Sequence, residues 1–355
     1  PTRRSSDLMA VAMALFSCGQ KQGETAKTAE ASADSLGGTL TGLDEKTQVI
    51  KAQTQAYIDQ DTTYAGDAIA DNVVKKLVYG ANHPFGEITT AKTVNKVTQS
   101  DVKNFYASYW KPNIAYLVFV GDIEPEVAKK LAEQNFGTWA KGTVPKVNFP
   151  TPSTPTQTYV AIVDRPSSVQ SVVAVASTIN LAPGAEQAIP ASVMNNILGG
   201  GFSGRLFANL REKHGFTYGA YSSLNPNRQI GIFSAESSVR NEKTDSAVQE
   251  ILHEINVIRN EKVGDSELVR MKNYLSGGFA RSLENPATIA GFALNVARYK
   301  MPADYYQKYL TNLASVNAQQ VQDAAKALLN PSQMHIVIVG NAKQIAKGLE
   351  KYGPV

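Results

Sequence analysis

An internal repeat constrains the fold of this chain more than any other feature of its sequence. Residues 98–121, TQSDVKNFYASYWKPNIAYLVFVG, align without a gap with residues 317–340, NAQQVQDAAKALLNPSQMHIVIVG. Each copy has a polar cap and a helical pattern, then a proline, Pro112 or Pro331, and then an apolar segment that ends in Val-Gly. Proline halts a helix, and the apolar segment is typical of a strand buried on at least one face. The repeat therefore predicts two homologous domains that end in the same helix, strand and helix.

The two halves of the chain differ in their predicted strands. In the second half TYVAIVD, VQSVVAVAST and the segments at about 216–224 and 229–239 are typical of strands, whereas 243–329 is largely helical. The first half offers helical stretches at about 44–60 and 65–78, with too few strands to match. We therefore predict an α+β fold with a mostly antiparallel sheet covered by helices on one face, the first copy being incomplete.

A segment rich in proline and threonine separates the two halves. It reads GTVPKVNFPTPSTPTQT, residues 142–158, and it lacks hydrophobic periodicity, which is typical of an extended linker. The linker divides a truncated domain, residues 31–141, from a complete one, residues 159–355.

The amino terminus has the pattern of a secretion signal. Two arginines precede a short apolar run, residues 8–16, which is too short to be a stable membrane anchor. Cys18 follows, the only cysteine of the chain, at the place of the lipidated cysteine in a bacterial lipobox, and residues 19–30 form a polar tether. The alternative is a buried or incidental cysteine. We predict that residues 1–18 are signal-like, that lipid is attached to Cys18, and that the protein is extracytoplasmic, on the periplasmic side or outer membrane of a bacterial envelope.

Composition and charge narrow the class of partner. The chain has 43% hydrophobic and 19% charged residues, as expected of a globular protein with substantial cores. Its net charge of +4 is spread without a basic block, so we expect no nucleic-acid surface. No later apolar run is long enough to cross a membrane, so we expect membrane contact through a lipid anchor only. Peptides or proteins are the more natural partners.

The most unusual segment is GGGFSGRLFANLREKHGFTYGAY, residues 199–221. It is not a phosphate loop, because Arg205 stands where the lysine of that motif is required. It is not a nucleophile elbow, because that motif requires a glycine two residues after Ser203, where this chain has Arg205. The remaining interpretation is that the segment has a structural role. The leading glycines permit positive backbone torsions and close approach of another backbone, Ser203 can cap a helix at about 203–213, and Gly215 ends that helix.

Two side chains of this segment are candidates for function. Arg211 lies in the last turn of the predicted helix, and a turn at Gly215 can bring its guanidinium near the phenol of Tyr218 in the returning strand. Taken alone, Arg211 could stabilise the carboxyl end of its own helix and Tyr218 could lie at the edge of the core. However, LFANLREKHGFTYGAYSS resembles the carboxyl-side half of the pitrilysin and insulinase family of zinc metallopeptidases, which includes the mitochondrial processing peptidases. The resemblance implies that Arg211 and Tyr218 contact substrate.

The resemblance extends over much of the chain. YGANHPFGEITTAKTVNKVTQSDVKNFYASYWKPN resembles the end of the amino-side domain of the family, and residues 157–355 resemble one complete carboxyl-side domain. Together the matches cover residues 28–355 with a gap. They imply duplicated LuxS/MPP-like metallohydrolase domains, of which the first is truncated.

The zinc site of that family is absent from the sequence. The family uses H-x-x-E-H on a helix and a later glutamate, whereas the four histidines here, His83, His214, His253 and His335, are far apart. Glu45 lies in a segment that resembles the helix of the third ligand, but it is more simply a first-turn helix charge. We therefore predict no catalytic and no metal-binding residue in this chain. We expect zinc in a catalytic partner or in the full-length protein.

The histidines have simpler interpretations. His83 is interpreted as a turn residue before proline and His335 as a structural residue of the last strand. His253, with Glu250 and Glu254 nearby, is interpreted as solvated helix surface, because positions 253 and 254 do not share a helix face.

These observations predict a protein that binds extended peptides or unfolded proteins against a sheet edge. Arg211 would donate hydrogen bonds to peptide carbonyls or to a developing oxyanion, and the Tyr218 hydroxyl would add a second donor. Hydrolysis would need a zinc-bearing family subunit, so whether this chain is an enzyme is left open. The alternatives are an incomplete copy of an active zinc metallopeptidase and a structural or scaffolding pseudoenzyme that no longer binds peptide.

Overall fold

The structure is a computed structural model that describes Lys51 and residues 66–355. These residues belong to two compact units. The first contains Asn82–Pro150, and the second combines residues 66–81 with Thr151–Val355. The boundary at Thr151 lies inside the predicted linker, although the predicted domain bounds themselves stay predictions.

The predictions for the amino-terminal region fall outside the described residues. They concern the signal-like segment, the tether, Cys18, Glu45 and the helical stretch at about 44–60, of which only Lys51 is described. Within the described ranges, no helix is both long and apolar enough to cross a membrane.

Apart from one predicted strand in the first half, the helices and strands follow the order expected from the sequence. The first are α1 (Gly66–Tyr79), α2 (Ala91–Asn95), α3 (Gln99–Tyr109), α4 (Pro125–Phe136), β1 (Tyr159–Asp164), β2 (Gln170–Ile179) and α5 (Ala188–Leu198). They are followed by α6 (Arg205–Phe207), which continues as a π-helix (Ala208–Lys213), and by β3 (Thr217–Asn225) and β4 (Gly231–Arg240). The last are α7 (Thr244–Asn260), α8 (Asp265–Ser282), α9 (Pro286–Tyr299), α10 (Tyr309–Ser315), α11 (Ala318–Leu328), β5 (His335–Gly340) and α12 (Ala342–Leu349).

The first copy of the repeat forms its helix but not its strand. α3 begins at a capping box, as its sequence indicates. Residues 115–120 then form no strand, and the side chains of Tyr116 and Leu117 are 56% and 55% exposed. The prediction of a buried strand is therefore wrong for this copy. A strand is completed by hydrogen bonds to a neighbouring strand, and residues 82–150 contain none.

The second copy of the repeat forms the centre of a five-stranded sheet. The strand order is β1-β5-β2-β4-β3, and only the pair of β1 with β5 is parallel. All six residues of β5 are buried, because strands lie on both of its sides and helices pack on the sheet. This confirms the α+β prediction and the mostly antiparallel sheet.

Helices pack on both faces of this sheet. One face carries the main core, in which Phe233 of β4 and Ile336 of β5 lie with Met194 of α5 and Ile251 of α7. On the other face α1 packs over β2 and β5, where Val74 and Val78 belong to one apolar cluster with Ala174, Ala176 and Val337. The helix predicted at 65–78 is thus confirmed, but it packs on the second unit, whereas the sequence placed it in the truncated domain. The prediction of one covered face was incomplete for the same reason.

Candidate functional site

The glycine-rich segment holds the outer edge of β3. The carbonyl of Gly199 accepts a hydrogen bond of 2.8 Å from the amide of Ser222, and a Cβ on Gly199 would lie 2.6 Å from that amide nitrogen. The predicted close approach of two backbones is therefore confirmed. The predicted positive torsions are wrong for the three leading glycines, since Gly199 has a φ of −167° and the other two are not in the left-handed region. Gly215 has a φ of +62° and ends the helix, as predicted.

The helix after the glycines begins one residue later than predicted. Its N-cap is Gly204, so the predicted cap at Ser203 is wrong. A side chain at Gly204 would meet the Cα of Gly199 at 2.8 Å, which explains why the cap position carries none. Arg205 then binds Glu267 of α8 through two hydrogen bonds of 3.0 and 2.6 Å. This bond raises the pKa of the Arg205 guanidinium, and the pair ties the segment to the helical layer.

The π-helix places neighbouring side chains on opposite sides of the segment. The amide of His214 donates to the carbonyl of Asn209, 3.1 Å away and five residues back. The buried Asn209 amide group donates to Glu250 at 2.8 Å and to Glu254 at 2.7 Å, both on α7. The two glutamates are therefore more than solvated helix surface, whereas His253 between them is exposed.

Arg211 lies on the outer side of the π-helix and is exposed. Its guanidinium carbon is 4.8 Å from the centre of the Phe207 ring, a cation–π arrangement. The Phe207 ring packs against Tyr221 of β3 at 5.9 Å and against Phe202 at 5.3 Å. The guanidinium thus lies on an aromatic cluster formed by Phe202, Phe207 and Tyr221. Among the described contacts, the Arg211 side chain forms no hydrogen bond with the carboxyl end of its own helix.

Tyr218 lies on a bulge of β3 and is 88% exposed. The pairing of β3 with β4 shifts register between Thr217 and Ala220. There the Thr217 hydroxyl lies 2.7 Å from the Ser238 carbonyl, and the Ser237 hydroxyl donates to the Gly219 carbonyl at 3.0 Å. Bulges often re-aim a side chain beside a functional site. The exposure of Tyr218 is inconsistent with the alternative that it lies at the edge of the core.

A concave surface of about 380 Å³ lies beside this bulge, and we call it the β3 groove. Six of its lining side chains determine its chemistry: Asp67, Val172, Tyr218, Tyr221, Glu236 and Ser238. They come from α1, β2, β3 and β4 of the second unit. Arg211 is not among the lining residues, but the ring of Phe207 connects it to Tyr221, which is. Arg211 and Tyr218 are both on the surface, and their roles stay predictions.

Sequence reasoning missed the acidic residues of the groove. Glu236 stands directly opposite Tyr221 in the β3–β4 pairing, so both project from the same face of the sheet. The exposure of Glu236 could have been predicted, because it is an acidic residue within the apolar strand GIFSAESSVR and the alternation of side chains places it on the face away from the core. Asp67 gave no signal, since its place depends on the packing of α1 on a sheet formed by residues far along the chain.

The described residues do not fit a zinc site. No three of their histidine, cysteine, aspartate and glutamate side chains are arranged so that they could hold a metal ion. His83 caps a short turn, where its Nδ1 accepts from the amide of Phe85 at 3.1 Å, which confirms its interpretation as a turn residue. His335 is buried in β5, with its ring 4.9 Å from that of Tyr159, as a structural residue.

Acid is expected to destabilise the second unit through His335. Burial lowers the pKa of its imidazole, whereas in the unfolded chain a histidine has a pKa of about 6.5. The unfolded state therefore takes up the proton first. The contribution of His335 to the free energy of unfolding is complete above about pH 6.5. It is lost as the pH falls toward the lower pKa of the folded state, by at most about 1.4 kcal/mol per pH unit for this proton.

Urea unfolding at a series of pH values measures this effect. The variant His335→Gln cannot bind the proton, so its stability should fall less steeply with acid than that of the wild type. The matched control His253→Gln replaces an exposed histidine of α7 and should keep the wild-type slope. Equal slopes for His335→Gln and wild type would contradict the prediction.

Comparison with known proteins places this geometry in a family. A family model described as the peptidase M16 inactive domain matches residues 96–275. The chain is 24% identical over 307 residues to YmxG, an uncharacterized zinc protease of Bacillus subtilis. The matched region covers 82% of this chain and 71% of YmxG. It is 23% identical to Mb2805c, an uncharacterized zinc protease of Mycobacterium bovis, over 74% of this chain and 60% of the relative. The chain thus spans between 60% and 71% of the length of these two proteins.

The solved structures agree with the sequence relatives. The crystal structure of a peptidase M16 inactive domain from Pseudomonas fluorescens superposes with a TM-score of 0.74 and 26% identity. The match covers 83% of this chain and 70% of that chain. The sequence match and the fold of the second unit therefore both indicate the peptidase M16 family.

Proposed function

Because the chain belongs to the M16 peptidase family, we propose that its second unit binds extended peptides or unfolded protein segments in the β3 groove. The observation that carries this proposal is the exposure of Tyr218 beside a concave surface, on a bulge held by hydrogen bonds of Thr217 and Ser237. A large side chain held in water by an ordered backbone is available for a ligand.

The edge of the sheet offers backbone groups to such a peptide. β3 is the terminal strand of the sheet and pairs with β4 alone. Its outer edge is covered at Ser222 by the Gly199 carbonyl, and Ala220 is fully buried. The part of this edge that is open to a peptide is therefore the bulge at Tyr218. A peptide strand added here would gain backbone hydrogen bonds with little sequence selectivity.

The two predicted substrate contacts have complementary chemistry. Tyr218 would donate its hydroxyl to a peptide carbonyl above the groove. Arg211 would donate from its place over Phe207, where the ring holds the guanidinium without satisfying its N–H groups. Donors aimed at a carbonyl can also stabilise the oxyanion that forms during hydrolysis.

We propose further that this chain does not hydrolyse the peptide alone. The relatives YmxG and Mb2805c are named zinc proteases. Since the described residues do not fit a zinc site, the metal would come from a zinc-bearing family subunit or from the full-length protein. The chain would then be a substrate-binding, non-catalytic subunit.

Reconstitution tests this function. The purified chain is mixed with a zinc-bearing M16 relative, and cleavage of a quenched fluorescent peptide is followed. We expect no cleavage by the chain alone and faster cleavage by the mixture than by the relative alone. The gain should disappear for Arg211→Ala combined with Tyr218→Phe. A mixture no faster than the relative alone would contradict the partner role, and cleavage by the chain alone would contradict the non-catalytic one.

A second candidate is an incomplete copy of an active zinc peptidase. The exposed apolar residues 115–120 favour it, because they have the composition of a buried strand and find no pairing strand in residues 82–150. A scaffolding pseudoenzyme is the alternative in which reconstitution fails and no peptide binds. Lipid attachment at Cys18 and an extracytoplasmic location stay proposals. Labelled fatty acid that fails to attach to the wild-type chain, or that attaches equally to Cys18→Ala, would contradict the lipid attachment.

A further inference from the structure

The charge of the β3 groove is opposite to that of the whole chain. The sequence carries a net charge of +4, yet the described residues that line the groove include two carboxylates, Asp67 and Glu236, and no lysine or arginine. Both carboxylates are exposed, and neither forms an ion pair within the described residues. Their charge is therefore free to act on a ligand.

The surroundings of each carboxylate keep it directed at the groove. Asp67 lies in the first turn of α1, and its Oδ1 is 3.4 Å from the Ser238 hydroxyl. Glu236 stands opposite Tyr221 across the β3–β4 pair. Arg165 is a cation near the start of α1, since its Nη1 lies 3.8 Å from the place that a Cβ on Gly66 would take, but it does not line the groove. Among the lining residues that the structure describes, no cation accompanies the two carboxylates.

The groove also offers apolar and aromatic surface for a long side chain. Val172 and the rings of Tyr218 and Tyr221 line it together with the carboxylates. Lysine and arginine bury a methylene stem on apolar surface while the charged head reaches an anion, and a tyrosine face attracts such a head. The head of a lysine or arginine side chain is therefore a cation that fits this mixed lining of carboxylates, apolar surface and aromatic rings.

We propose that the β3 groove selects extended peptides that present a lysine or arginine side chain, held between Asp67 and Glu236 over the two tyrosines. This inference rests on the proposed peptide binding and adds the substrate class to it. In a strand paired with the outer edge of β3, alternate side chains project to the face of Glu236 and Tyr221. One basic residue at such a position is sufficient, and a run of basic residues is not required.

Matched peptides test the charge preference directly. Fluorescence anisotropy with the whole chain compares labelled eight-residue peptides that are identical except for lysine, glutamine or glutamate at one central position. We expect the lysine peptide to bind about tenfold more tightly than the glutamine peptide, because a partly exposed ion pair and a cation–π contact add their effects. The glutamate peptide should bind weakest, and raised salt should reduce the differences.

Charge-neutral variants locate the preference. Asp67→Asn and Glu236→Gln should each reduce the lysine-to-glutamine ratio and together bring it close to one, while the glutamine peptide keeps its affinity. The control Glu284→Gln removes one exposed negative charge outside the groove and should leave the ratio unchanged. Equal binding of all three peptides, or a ratio unaffected by the two groove variants, would overturn the inference while leaving peptide binding intact. If no peptide binds, the proposed function fails with it.

Discussion

Replacing Arg211 and Tyr218 together by alanine is expected to weaken the binding of an extended peptide by about ten- to a hundredfold. Hydrogen bonds to a charged donor contribute about 1.5–3 kcal/mol, and each 1.4 kcal/mol corresponds to a tenfold change in dissociation constant. Both side chains are exposed, so their removal should alter the free energy of unfolding by no more than about 0.5 kcal/mol. Fluorescence anisotropy of a labelled peptide and urea unfolding measure the two quantities separately.

A second arginine and tyrosine pair provides the control. The guanidinium of Arg298 lies 5.4 Å from the ring of Tyr299 at the end of α9. The double variant Arg298→Ala, Tyr299→Ala removes the same chemical groups from another element and should leave peptide affinity unchanged. If both double variants bind peptide like the wild type, Arg211 and Tyr218 are not the contacts proposed for them.

Gly199→Ala is expected to destabilise the second unit by about 1–3 kcal/mol, the usual effect of overpacking a filled site. The new Cβ would lie 2.6 Å from the Ser222 nitrogen and 2.8 Å from a methyl carbon of Leu206. The extended φ of Gly199 suits any residue, so the effect is steric. Separating the two backbones would also break the hydrogen bond from Ser222 to Gly199, which covers the edge of β3.

Gly201→Ala is the matched control in the same glycine run. Its Cβ would meet nothing closer than the Tyr274 hydroxyl at 3.9 Å, an ordinary contact. Urea unfolding of the two variants beside the wild type measures the difference in the free energy of unfolding. Equal stability of Gly199→Ala and Gly201→Ala would show that the close approach of Gly199 to β3 does not matter for stability.

The fold could be predicted from the sequence where local pattern and tertiary environment agree. The helix at Ala188–Leu198 and the strand β5 were found because periodicity, flanking residues and burial all point the same way. The segment 115–120 has a similar apolar pattern to β5, yet it forms no strand. Apolar composition indicates that a strand could be buried, but hydrogen bonds to a neighbouring strand decide whether it forms.

The candidate site was predictable only in part. Arg211 and Tyr218 were identified by resemblance, and their exposure came from features that leave no clear sequence signal, the π-helix and the bulge of β3. Asp67 lies about a hundred residues before β2 and enters the groove because α1 packs on the second unit. The position of such a residue depends on packing between segments that are distant in the sequence. Hydrophobic periodicity depends only on residues that are close together along the chain, so it does not predict that packing.

Hydrogen exchange of the β3 backbone amides, with and without a saturating extended peptide, tests the central claim most directly. A peptide paired with the outer edge should slow exchange at Tyr218 and its neighbours in the bulge. The opposite edge strand β1, where the amide of Val160 already donates to the Pro354 carbonyl at 2.8 Å, should not change. Protection confined to β3 is the result the account predicts. Bound peptide with no protection at β3 would contradict it.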